Sequence, residues 1–416
     1  MENIENKIPN GENQDTQNSS FFSENVSSSN GLEPKLRFPN FIEKWTRFEA
    51  ENIFKNITDK NHPTDTVLTI QQGRGTLPRD LSGRNILYDN TNTKNYKRVQ
   101  FGDFIIHLRS FEGGLEMANE QGIVSPAYTI LRYIKPIAFG FYKAYFRTNE
   151  FINHILSKSV EGIRDGKQIS YDAFKWLAIP YCQLEEQQKI ADFLSLVDQR
   201  IEKQRQLVES LKKYKRGLVF HLFNKNNPIN KSIPMRDLLT EINDRNSVGL
   251  RVCSVAVIKG IVDQIEHLGR SFSASDTSKY RRVHFGDVVY TKSPTGDFPF
   301  GIVKQSKIKE DVAVSPLYGV YKPSSYSTGN LLHLYFEQYQ YANNYIRSLA
   351  QKGAKNTINI TTQHFLEKNI IFPYHEVDRV YFSNFFEKLN KLIKFNEGEL
   401  EKAQSLKKGL LQQMFI

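Results

Sequence analysis

A chain of 416 residues that is 39% hydrophobic and 12% aromatic is too apolar to be mostly disordered and long enough for two or three domains. Lys plus Arg is 56 against 45 for Asp plus Glu, a formal charge of +11, which favours an acidic partner over a basic one. Two distant cysteines, Cys182 and Cys253, exclude a disulfide framework and a Cys-rich zinc module, and the lack of a long apolar run or a signal-like N-terminus predicts a cytoplasmic protein with no membrane partner.

In chain order, residues 1–34 read as a flexible acidic tail, with Glu2, Glu5, Glu12, Asp15, Glu24 and Glu33 against Lys7 among Asn, Ser and Gln. Setting the tail aside leaves the remainder near +16, a charge that suits a polyanion such as nucleic acid. Residues 35–185 mix short β-branched and aromatic runs (Val67–Ile70, Asp103–Leu108) with Gly, Asn and Ser turns and a helical stretch at Tyr142–Ser157, which predicts an α+β domain. Residues 186–225 form a spacer helix. A second α+β domain spans 226–375, with a strand at Asp287–Thr291 and a helical stretch at Leu331–Ala350, and a second spacer helix occupies 376–416.

The two halves are copies of one unit of about 190 residues. Tyr96-Lys97-Arg98-Val99-Gln100-Phe101-Gly102-Asp103 returns as Tyr280-Arg281-Arg282-Val283-His284-Phe285-Gly286-Asp287, and Val124-Ser125-Pro126-Ala127-Tyr128 returns as Val314-Ser315-Pro316-Leu317-Tyr318. Ile169–Phe174 matches Ile360–Phe365, Leu211–Leu218 matches Ala403–Leu410, and Phe223 matches Phe415. The order is unchanged and the offset drifts only from 184 to 192, so whole domains are in tandem.

The helices carry matched heptad seams. The first reads Ile190, Leu194, Val197, Ile201, Gln204, Val208, Leu211, Lys215, Leu218, Leu222, and the second Phe382, Phe386, Leu389, Ile393, Asn396, Leu400, Ala403, Lys407, Leu410, Met414. Both polar interruptions fall at the same steps, while Asp198, Gln199, Glu202 and Lys203 occupy outer positions. Such a stripe predicts a coiled coil; two independent core helices are the plainer alternative. Duplicated units favour a pseudo-two-fold axis, which makes the helices antiparallel and sets the α/β domains at opposite ends of a spacer of about 50 Å.

No catalytic pattern stands out. The sequence lacks a Gly-rich nucleotide fingerprint, a phosphate loop, metal-like His or Cys spacing and an Asn-Pro-Pro-aromatic segment, so no cofactor is expected in this chain, no metal site and no catalytic residue. Asp103 and Asp287 read as backbone caps in a turn rather than acid/base groups. What the chain offers near its loops is basic and amide chemistry. In the first copy this comprises Gln71, Gln72, Arg74, Arg79, Arg84, Arg98, Arg109, Arg164 and Lys167; in the second, Arg270, Lys279, Arg281, Arg282, Lys292, Lys352, Lys355 and Asn356. Arg suits guanine or phosphate, and Gln or Asn suits adenine, although each residue singly also fits a solvated surface.

The run Ile179-Pro180, Glu186-Gln187-Gln188-Lys189-Ile190, Leu196-Val197-Asp198-Gln199-Arg200-Ile201 and the Lys-rich helix from Leu211 to Phe223 resembles the specificity subunit of type I restriction-modification enzymes. Phe101-Gly102-Asp103, Phe285-Gly286-Asp287 and Lys352–Ile358 also resemble segments of that family's target-recognition domains, and the resemblance covers about 35–416. The second copy departs from it, because Tyr374–Val380 lacks the Glu-Gln-Gln-Lys of the first.

The resemblance implies two target-recognition domains, each reading half of a bipartite site on double-stranded DNA, with paired helices setting the gap. It implies a non-catalytic chain that docks two modification (methyltransferase) subunits and further restriction subunits, on which S-adenosylmethionine, ATP and Mg²⁺ would sit. The alternatives from the residues alone are a coiled-coil scaffold joining two protein-binding modules and an unrecognised nuclease or methyltransferase.

Overall fold

The computed structural model describes residues 33–82, 90–162, 168–269, 276–349, 351–352 and 358–415. The acidic tail expected over 1–34 lies, as far as residue 32, outside the described residues. Two compact units emerge, Met1–Arg200 with Ala403–Ile416, and Ile201–Lys402.

The first unit runs through β1 (Thr46–Glu49), β2 (Phe54–Ile57), β3 (Leu68–Gln71), β4 (Gly75–Pro78), β5 (Lys97–Val99) and β6 (Phe104–Ile106). It continues through β7 (Glu116–Met117), β8 (Gly122–Val124), β9 (Thr129–Tyr133), β10 (Val160–Glu161), β11 (Gln168–Ile169) and β12 (Ala178–Tyr181). Its main sheet has the order β2-β9-β6-β7, accompanied by the ribbons β1-β12, β3-β4, β5-β8 and β10-β11, all antiparallel.

The second unit uses β13 (Asn230–Pro234), β14 (Leu239–Glu241), β15 (Cys253–Ala256), β16 (Gly260–Asp263), β17 (Arg281–Val283) and β18 (Val288–Tyr290). There follow β19 (Val303–Gln305), β20 (Val312–Val314), β21 (Gly319–Pro323), β22 (Gln351–Lys352), β23 (Ile358–Asn359) and β24 (Asn369–Pro373). The sheet β14-β21-β18-β19 and the ribbons β13-β24, β15-β16, β17-β20 and β22-β23 repeat the first topology strand for strand. β6 and β18 lie inside their sheets with all three residues buried, which is why they read as unbroken apolar runs rather than alternating ones.

The duplicated Phe-Gly-Asp turns feed these buried strands in the same way. Gly102 and Gly286 sit at φ 88° and 89°, where a side chain would be strained, and Asp103 and Asp287 each accept the amide three residues upstream, from Gln100 and His284, at 2.8 Å. The helical stretches are shorter than their apolar patterns predict. Tyr142–Ser157 becomes a helix at Phe139–Tyr145 and a separate π turn at Phe151–Ile155, because Thr148 Oγ1 takes the Phe151 amide and restarts the chain. Leu331–Ala350 divides into Tyr326–Glu337 and Tyr339–Ile346 at the extended backbone of Gln338.

The two long helices, Leu184–Leu222 and Glu376–Met414, are 39 residues each, or about 58 Å at ~1.5 Å per residue. Every seam position is buried or half-buried, and most of those between are exposed. In the second unit Gln204 Nε2 donates to Asn396 Oδ1 at 2.9 Å and to its carbonyl at 3.0 Å, so the first polar interruptions of the two seams face each other. In the first unit Lys407 pairs with Asp198 while Leu410 and Met414 join the cluster of Ile190 and Leu194, which fixes an antiparallel direction there. A facing pair of amides in a mostly apolar seam specifies register at a cost in stability.

Each helix ends in a ring that completes a core. Phe415 contacts Phe141 at 5.1 Å, Tyr145 at 5.8 Å and Trp45 at 6.4 Å between centroids, in the first unit. Phe223 packs on Tyr335 at 5.1 Å and stacks on Phe372 at 5.7 Å, in the second. Phe415→Ala is expected to destabilise the first unit by about 3 kcal/mol, the usual cost of such a truncation. Trp45 fluorescence in a guanidinium titration checks this, and an unchanged Trp45 midpoint would count against it.

Candidate nucleic-acid interface

The expected contact residues divide into three groups. Arg84, Arg164, Lys167, Arg270, Lys355 and Asn356 lie outside the described residues, and only the backbone of Lys352 is described, in β22. A second group is bound internally. Arg98 pairs with Asp65 at 3.0 Å, and Arg282 donates to Asp311 through Nε at 2.8 Å. Arg281 donates to Asn243 Oδ1 at 2.7 Å and the Ile242 carbonyl at 3.2 Å, and lies 3.4 Å from Glu241. Lys292, half-buried at φ 55°, reaches Thr362 at 3.4 Å, and burial lowers its ammonium pKa. Arg79 is half-buried at the end of the β3-β4 ribbon. Gln71, Arg74, Arg109 and Lys279 form the third group and face solvent, Arg109 at a loose 3.9 Å from Glu112.

The most constrained exposed feature is the tip of the β3-β4 ribbon. Gln71 opposes Gly75 across the ladder, and the Arg74 amide returns to the Gln71 carbonyl at 2.9 Å, which leaves Gln72-Gly73-Arg74 as a three-residue turn. Gly73 and Gly75 adopt φ 85° and 83°, and a β-carbon on Gly75 would meet the Met117 carbonyl at 2.5 Å. Glu116, with no exposed surface, accepts the amides of Gly73 at 2.7 Å and Gly75 at 2.9 Å and also pairs with Arg147. Arg147 in turn donates to the Gly73 carbonyl at 2.8 Å, and Asn119 Nδ2 donates to the carbonyls of Arg74 at 2.7 Å and Thr76 at 2.8 Å. The backbone of this turn is therefore held at Gly73, Arg74 and Gly75, while Gln71, Gln72 and Arg74 occupy exposed positions.

The second copy has the same three-residue turn, Val257-Ile258-Lys259, between Ala256 and Gly260. Its support differs in sign. Ile105 faces Glu116 across the ladder as Val289 faces Lys304, and Ile152 donates to the Thr148 carbonyl as Ala342 donates to that of Gln338, so Glu116 corresponds to Lys304 and Arg147 to Glu337. The buried pair is retained with its charges exchanged. Lys304, 3% exposed, lies 3.4 Å from Glu337, which also binds Lys215 at 3.1 Å and His333 at 3.3 Å. An ammonium has no lone pair to offer the turn amides, so this pair steadies the fold and docks the seam residue Lys215 instead. Sequence reading missed Glu116 and Arg147; the charge exchange between aligned copies was the available signal.

The Glu-Gln pair at the start of the first long helix is likewise internal. Glu186 accepts Arg37 at 2.7 and 2.8 Å and Trp45 Nε1 at 3.1 Å. Gln187 accepts the Ala138 amide at 3.1 Å and donates to the Cys182 carbonyl at 2.8 Å. In the second copy Arg379 stands at the Gln187 position and donates to the carbonyls of Pro373 at 2.8 Å and Tyr374 at 2.9 Å, so the strand-to-helix junction keeps its hydrogen bonds despite the changed sequence.

Among the described residues no cluster of His, Cys, Asp and Glu could hold a metal ion, and no helix is long and apolar enough to cross a membrane. Residues 48–213, containing the β3-β4 ribbon, match the family described as type I restriction modification DNA specificity domain. Residues 48–213 form a domain of this family. Its role is to read DNA sequence. No curated protein matches the sequence. The fold is similar to the crystal structure of a type I restriction-modification system S subunit from M. genitalium, with a TM-score of 0.55 at 13% identity over 92% of this chain and 99% of that one. A structure described under complex assembly and conformational transition of the type I R-M system is similar with a TM-score of 0.50 at 14% identity, over 89% and 97% of the two chains.

The Glu337 cluster makes stability depend on pH. Burial pushes the Glu337 carboxyl up, but the His333 hydrogen bond and the charges of Lys304 and Lys215 override it and hold the group well below the usual carboxylate range; burial lowers His333. Both folded pKa values lie below their unfolded ones, so the unfolded state binds more protons as pH falls. Stability of the second unit should drop first below about pH 6.5 through His333 and more steeply below about pH 4.3 through Glu337. Glu337→Gln should cost about 3 kcal/mol at pH 7, because Lys304 is left charged and buried. Denaturant midpoints between pH 3.5 and 8 check both, and a flat profile for the unsubstituted protein would refute them.

Proposed function

We propose that this protein is the specificity subunit of a type I restriction-modification system, in which each α+β domain reads one half of a bipartite DNA site and the long helices set the gap between halves. The observation that carries the reading is the strand-for-strand repetition of a DNA specificity domain, joined by two helices of equal length with facing seams. Two copies with different turns, Gln72-Gly73-Arg74 and Val257-Ile258-Lys259, suit an asymmetric target. The excess of Lys and Arg supplies the phosphate attraction, and exposed Gln, Arg and Lys near the ribbon tips supply base-edge chemistry.

In this reading the chain is not itself an enzyme and acts in the cytoplasm. Two modification subunits dock on it and carry S-adenosylmethionine, and restriction subunits bring ATP and Mg²⁺. The outward residues of the second long helix, among them Val377, Tyr381 and Leu392, are exposed apolar groups suited to such docking.

Exchange of residues 35–185 for another recognition domain should change one half-site and leave the other half and the gap as they were. A seven-residue insertion near Gln204 should alter the gap alone. Methylation-sensitive sequencing of DNA from cells carrying each version, with modification partners, reads both outcomes; a heptad insertion that changed the bases within a half-site would overturn the division of labour. Binding should also weaken steeply with salt, by roughly 0.9 log units per phosphate contact per log unit of salt.

A further inference from the structure

We infer that the β3-β4 ribbon is the base-reading element of the first domain and that Glu116 is its positioning residue, an inference that rests on the DNA-reading function proposed above. A two-stranded antiparallel ribbon fits the major groove, where Gln can contact adenine and Arg guanine through paired hydrogen bonds. Such contacts discriminate only if the side chains start from a fixed backbone, because a mobile turn can move to accommodate a wrong base.

The turn meets that requirement through one carboxylate. Glu116 binds the amides of Gly73 and Gly75 and the Arg147 guanidinium, so both of its oxygens are engaged from a fully buried site. Arg147 and Asn119 hold three carbonyls of the same segment, those of Gly73, Arg74 and Thr76. Five backbone groups of the segment are thus held by Glu116, Arg147 and Asn119, while Gln71, Gln72 and Arg74 occupy exposed positions. Gln72 is further confined where it crosses Gly113, since a β-carbon there would lie 1.7 Å from Gln72 Nε2.

The second domain provides an internal control. With Lys304 and Glu337 in place of Glu116 and Arg147, the buried pair survives but the acceptor beneath the turn is gone, and the exposed tip becomes Ile258 and Lys259. The ion pair is therefore separable from the clamp. Ile258, 93% exposed, is suited to apolar contact with a thymine methyl group rather than to paired hydrogen bonds.

The test is selection of bound duplexes from a random double-stranded DNA pool by the full-length chain, followed by sequencing. Two variants are compared with the unsubstituted protein. One is E116K/R147E, which installs the charge order of the second domain, and the other is Q71A/Q72A/R74A, which changes only exposed side chains. The unsubstituted chain should enrich two half-sites. E116K/R147E should keep its melting midpoint within a few degrees, lose about tenfold or more discrimination at positions of one half-site, and leave the other half-site unchanged. The triple alanine variant should flatten the same positions. Full discrimination at both half-sites in the triple variant, or in a stably folded E116K/R147E, would overturn this inference while leaving the DNA-reading function intact. No enrichment by the unsubstituted chain would overturn that function and this inference with it.

Discussion

The larger core of each unit is incomplete without the end of a long helix. Trp45, Phe141 and Tyr145 leave a place that is filled by Phe415, from the far end of the chain, and Tyr335 and Phe372 leave one that is filled by Phe223. A phenylalanine buries a large apolar area, and protein cores tolerate few voids, so neither unit reaches close packing until its helix end has arrived. The consequence is that the helices cannot be treated as linkers appended to finished domains. Their length, their register and the positions of their terminal rings are specified together. The Gln204–Asn396 contact supports this by penalising any slipped pairing that would leave the two amides buried without partners.

A second constraint acts inside each domain, where one buried ion pair separates stability from presentation. In the first copy the negative member lies beneath the hairpin turn and can accept its amides. In the second the positive member takes the corresponding strand position, and the negative one gathers Lys215 and His333. Exchanging the charges leaves Coulomb attraction between the two side chains nearly the same. It changes which neighbouring backbone groups can be satisfied, because a carboxylate accepts and an ammonium only donates. Two copies of one fold thereby come to hold their exposed tips differently without altering strand order.

Much of the architecture is legible in residue order. The duplication followed from recurring segments such as Phe101-Gly102-Asp103 and Val124-Ser125-Pro126, and the seam followed from heptad spacing, since helix and strand periods are local properties of the chain. The capping role of Asp103 and Asp287 was legible too, as an Asx group beside glycine. The breaks at Thr148 and Gln338 were not, because an apolar pattern continues across them while a hydroxyl or a packing requirement ends the helix. The candidate contact residues were the least legible part. Arg98, Arg281 and Arg282 look like surface cations in sequence, yet Asp65, Asn243 and Asp311 come to them from other parts of the fold.

The sequence by itself determined that this is a duplicated α+β chain with two matched helical seams and a cationic surplus, because periodicity, repetition and net charge are written in residue order alone. Only the tertiary structure decided which cations face solvent, which carboxylate lies beneath which turn, and that Gln204 meets Asn396. Those outcomes depend on contacts between residues distant in the chain, and a side chain's charge is free to meet a partner only after folding has decided which opposite charges lie within about 4 Å of it.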